Sequence, residues 1–135
     1  MIRLIITIAL TILMSFGIFA QSKTPTTAKV EQLMAVKQGM KTVNNITAEL
    51  AEGVSAENFN KFQEEMADYK SAMLKTAMET FKNDYSASDI DAIYTECTSD
   101  AIDYSDKTNN FFKKWRKLKA TFYRNAKQAY FRHKA

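Results

Sequence analysis

Cysteine, histidine and proline each occur once in this 135-residue chain, and glycine occurs three times. The lone Cys97 cannot form an internal disulfide, so the fold holds by packing alone. That excludes the disulfide-stapled scaffolds of small toxins and growth factors. With His133 as the only other soft ligand, a metal site of the Cys/His type lacks its donors. His133 also stands third from the C-terminus, where chain ends fray, so a Cys97–His133 nucleophile pair is not expected. No glycine-rich phosphate loop and no G-x-S-x-G elbow is present. After Gly53 there is neither glycine nor proline through to Ala135. All-β proteins need frequent turn residues, so this absence excludes them and favours long helices.

Met1 and Arg3 precede a run from Leu4 to Phe19 broken only by Thr7, Thr11, Ser15 and Gly17. Ala20 and the polar Gln21-Ser22-Lys23-Thr24 follow. A charged start, an apolar stretch and a small residue at the cut are the parts of a secretory signal peptide. Cleavage after Ala20 is expected to leave Gln21 as the new N-terminus. The competing reading is an uncleaved anchor, although the run falls short of the ~20 apolar residues of a full span. With Gln rather than Cys after the cut, no lipid anchor is expected. The mature protein is then soluble and exported, periplasmic or secreted.

Residues 21–27 read as a flexible leader, with Thr26 or Thr27 as a helix cap. The rest, 28–135, reads as one all-α domain, an antiparallel bundle of three to four long helices. Val30, Leu33, Val36, Met40, Val43, Ile46 and Leu50 keep a helical period over about 28–52. Gly39 inside it marks close helix packing, and Gly53 ends it. Phe59, Phe62, Met66, Tyr69, Met73, Ala77 and Phe81 define a second helix over about 56–83. Ser86 and Asp89 have capping-box spacing, and Tyr85 and Ile90 can staple the start of a third helix, 87–105. Ile93, Cys97, Ala101 and Tyr104 continue its face. The period then runs on through Thr108, Phe111, Trp115, Leu118, Phe122, Ala126 and Ala129. One helix to the end would be about 70 Å long. A break within Ser105–Asn110 is therefore expected, with a last helix over 108–133.

Charge is split along the chain. Asp84, Asp89, Asp91, Glu96, Asp100, Asp103 and Asp106 stand without one base in 83–106. Lys107, Lys113, Lys114, Arg116, Lys117, Lys119, Arg124, Lys127, Arg132 and Lys134 stand without one acid in 107–135. At 100° per residue the aromatic side chains of the last segment share one face. Lys113, Lys114, Arg116, Lys117, Arg124 and Lys127 belong to the basic set, and Phe131 alone lands among the bases. Such a helix suits an anionic surface: lipid headgroups, an acidic polymer or an acidic protein. Alternatively the bases pair with the acidic segment folded back beside them. Glu96, Asp100 and Asp103, at i, i+4 and i+7, share a helix face that could hold a hard cation but is most simply a solvated one. Asn45-Ile46-Thr47 matches the glycosylation sequon, which matters only in a eukaryotic host. The methionines after residue 20 pad the core or furnish an adaptable surface.

The sequence thus reads as a non-enzymatic binding protein of the bacterial envelope with no cofactor. Its expected binding residues are Lys113, Lys114, Arg116, Lys117, Arg124 and Lys127. A periplasmic chaperone-like holdase is the alternative, and an enzyme of unknown type a distant one. Nothing points to specific nucleic-acid binding, and the oligomeric state is open.

Overall fold

The computed structural model describes residues 24–135; the expected signal peptide and cleavage point lie outside the described residues. The fold is all-α, with no strand among the described residues. Five helices follow in order: α1 (Thr27–Ala35), α2 (Gly39–Glu52), α3 (Phe59–Asp84), α4 (Ala87–Thr98) and α5 (Asp106–His133).

The first helix expected over 28–52 is two. The side chain of Thr26 caps α1 by accepting from the Lys29 amide. A 3-10 turn, Val36–Gln38, then separates α1 from α2. Within it Lys37 and Gln38 adopt left-handed backbone, with φ of 53° and 61°. Residues bearing a Cβ resist that region by roughly 1–2 kcal/mol each. The kink seats Gly39 where a Cβ would lie 2.2 Å from the Met34 carbonyl oxygen and 2.9 Å from Trp115 Nε1. Close packing at Gly39 was legible in the sequence; the kink that produces it was not.

α3 and α5 run antiparallel as the central pair. Phe62, near the start of α3, packs edge-on to His133 at the end of α5, with ring centroids 6.5 Å apart. At the opposite end Phe81 lies 4.4 Å from Phe111 and 6.4 Å from Trp115. Val30, Leu33, Val43, Met66, Ile90, Ile93 and Phe122 are among the residues of the buried core around this seam.

α4 starts as its sequence signals. Ser86 Oγ accepts from the Asp89 amide, and Asp89 accepts from the Ser86 amide. Tyr85 and Ile90, the staple pair, are both buried. Its end differs from expectation. α4 stops at Thr98, and α5 already begins at Asp106, so the break falls at Ser99–Ser105 rather than Ser105–Asn110. Ala101 and Ile102 are consequently exposed. The cause is the Glu96 carboxylate, which accepts from the Ser105 amide, from Ser105 Oγ (2.9 Å) and from Thr108 Oγ1 (3.1 Å). It draws the chain back and fixes the start of α5, where Ser105 caps the Thr108 amide.

The C-terminus does not fray as its position suggested. The Ser55 amide donates to the His133 carbonyl (3.1 Å), and the Ala135 amide donates to the Gly53 carbonyl (3.1 Å). Gly53 permits this because a Cβ there would meet the Tyr130 ring at 2.7 Å.

Gly39→Ala separates the two influences at this site. Gly39 has ordinary helical φ and ψ of −55° and −40°, so Ala on an open helix would gain about 1 kcal/mol. The clash with the Met34 backbone reverses the sign. We expect a net loss of about 1–3 kcal/mol in urea unfolding. A stabilised variant would contradict the packing described.

Candidate functional site

α5 places its aromatic residues inward and most of its bases outward. Phe111, Trp115, Phe122, Ala126 and Ala129 are buried, whereas Lys113, Arg116, Lys117, Arg124 and Lys127 are exposed. The outward set runs from Lys113 to Lys127, 14 residue steps or about 21 Å at 1.5 Å per residue. None of these five forms an ion pair among the described residues. Phe131 points out on the same side and is 63% exposed, with Lys134 Nζ 5.2 Å over its ring.

Lys114 is set apart from the other five. It is half-buried, pairs with Asp84 at 2.7 Å and lies 5.2 Å over the Tyr85 ring. The hydrogen bond to Asp84 holds its pKa above the ordinary lysine value. Lys107 pairs with Asp89 at 2.5 Å. Those are the two points where the acidic segment meets α5 in ion pairs. Asp91 turns instead to Lys29 (2.9 Å), and Glu96 is occupied by Ser105 and Thr108. The acidic segment therefore offsets α5 only near its N-terminal end.

The other candidates separate in space. Because α4 ends at Thr98, Asp100 and Asp103 leave the helix face that Glu96 occupies. Cys97 is buried, and burial raises its thiol pKa. It lies at the α4 end beside the start of α5, while His133 closes α5 about 40 Å away along the helix.

His133 belongs to a cluster that sequence spacing did not reveal. Its Nε2 lies 2.8 Å from Glu65 Oε1, Arg132 pairs with the other oxygen of Glu65, and Arg132 also donates to Tyr69 Oη (3.1 Å). Glu65 and Arg132 are 67 positions apart in the chain, so no local signal exists. Lys37 was missed for the same reason: its Nζ stands 4.0 Å over the Tyr104 ring.

Comparison with protein-family models, curated proteins and solved structures finds no match. No described helix is long and apolar enough to cross a membrane.

Acid should loosen the ends of α5. Hydrogen bonding to His133 first, and then to Arg132, lowers the Glu65 pKa; the Lys107 contact does the same for Asp89, aided by the Ser86 amide. A carboxyl with a lowered folded-state pKa stabilises the fold fully above its unfolded value, about 4. That contribution disappears as pH falls through the folded value. The urea midpoint should therefore be lower at about pH 3 than near neutrality. In Glu65→Gln the gap between the two conditions should narrow; an unchanged gap would show that this pairing is energetically silent.

Proposed function

We propose that this is an exported, non-enzymatic helical-bundle protein of the bacterial envelope. It docks on an anionic surface through the outward face of α5. Export rests on the sequence pattern of residues 1–20. The docking face rests on one observation: Lys113, Arg116, Lys117, Arg124 and Lys127 are exposed together without an acidic partner among the described residues.

Like charges held in one stripe repel each other and raise the local potential, which a polyanion relieves. Near an anionic lipid surface each base contributes about 1 kcal/mol, within a Debye length of about 8–10 Å. Phe131 beside the stripe adds an apolar contact suited to an interface. A holdase would need an exposed apolar concavity. The large exposed apolar side chains among the described residues, Phe59, Ile102 and Phe131, stand on three separate segments.

Vesicles of anionic lipid, set against zwitterionic ones, test the proposal. Binding should be selective for the anionic vesicles and weaken steeply as salt rises. Replacing Lys113, Lys117, Arg124 and Lys127 together by Gln should remove about 4 kcal/mol, roughly a thousandfold in affinity. The melting temperature should hold, since none of the four pairs with an acid among the described residues. Equal binding by that variant, or no binding by the parent at low salt, would reject the proposal.

A further inference from the structure

Where the kinked turn meets α5, a pocket of about 260 Å³ opens, bounded among others by Lys37, Tyr104, Asn109, Trp115, Arg116 and Lys119. Three of these are cations, and no acid lines it. Trp115 is 1% exposed, and its Nε1 has no hydrogen-bond partner. A buried indole N–H is a donor only, and leaving it unmade is costly. This N–H packs against Gly39, 2.9 Å from where a Cβ would stand, and Gly39 and Trp115 both line the pocket. Lys37 reaches the pocket from left-handed backbone, a strained conformation of the sort that gathers at ligand sites.

We propose that this pocket binds a phosphate monoester, with Lys37, Arg116 and Lys119 as its cations and the Trp115 ring as part of its wall. The proposal goes beyond surface docking and does not depend on it. A phosphate monoester carries close to two negative charges near neutrality and three acceptor oxygens, matching three cations better than a monoanion does. Burial, and next to it the charge of Arg116, lowers the Lys119 pKa. An anion between the two would relieve that repulsion. Lys119 is held 5.3 Å over the Trp115 ring and Lys37 over that of Tyr104, so both ammonium groups are positioned before a ligand arrives.

Trp115 is the only tryptophan, so the protein has one indole N–H resonance. Titration of the full chain with glycerol phosphate should shift that resonance and saturate, because the ligand seats against Lys119 over the Trp115 ring, whereas acetate at equal concentration should leave it in place. Lys37→Gln with Lys119→Gln should weaken the affinity by about tenfold or more. The Gln variant of Lys113, Lys117, Arg124 and Lys127 should bind glycerol phosphate as the parent does, which separates this site from the docking face. If only vesicles containing phosphatidic acid perturb Trp115 fluorescence, the same chemistry is met from a lipid headgroup. Absence of a saturable response in the parent protein to either source overturns the proposal, however the variants fold. An equal response to acetate, or unchanged affinity in the double variant, overturns it as well.

Discussion

The aromatic seam between α3 and α5 is the contact on which the rest of the molecule depends. Phe81, Phe111 and Trp115 interlock with centroids 4.4 and 6.4 Å from Phe81, and Tyr85 closes the end at 5.9 Å from Phe111. Burying rings of this size supplies several kcal/mol apiece, well beyond any single ion pair on the surface. Once those rings face inward, the 3.6-residue repeat leaves Lys113, Lys117 and Arg124 no position except outward. The charge display is thus a consequence of the packing.

The same seam explains the strained turn. Trp115 needs the space beside Gly39, and the chain reaches that arrangement by left-handed backbone at Lys37 and Gln38. A regular helix through 28–52 would carry Gly39 elsewhere. The strain and the unpartnered indole therefore share an origin, and together they shape the cationic pocket.

What was legible in the sequence was local or periodic. The Ser86–Asp89 box is encoded within four residues and forms as read, and Tyr85 and Ile90 on either side of it are both buried. The sidedness of α5 follows from its period, including the exposed Phe131 that broke the pattern. The misses all involve distant partners. Glu96 ends α4 early by binding a serine nine positions on. The last turn of α5 stays ordered because Gly53 and Ser55 hold it. Lys114 looked like its neighbours in the basic run until Asp84, 30 positions away, claimed it. Side-chain pairings of that reach leave no spacing signature, since any acid and any base can satisfy them.

Inward aromatics and outward bases are two statements of one orientation, and Trp115 reports on it directly. Quenching of its fluorescence by acrylamide should be slight in the native protein, with blue-shifted emission, and should rise to the free-tryptophan level across the urea transition. A native Trp115 quenched as readily as the unfolded one would put the aromatic face of α5 in water. The seam, the display of bases and the pocket would then fall together.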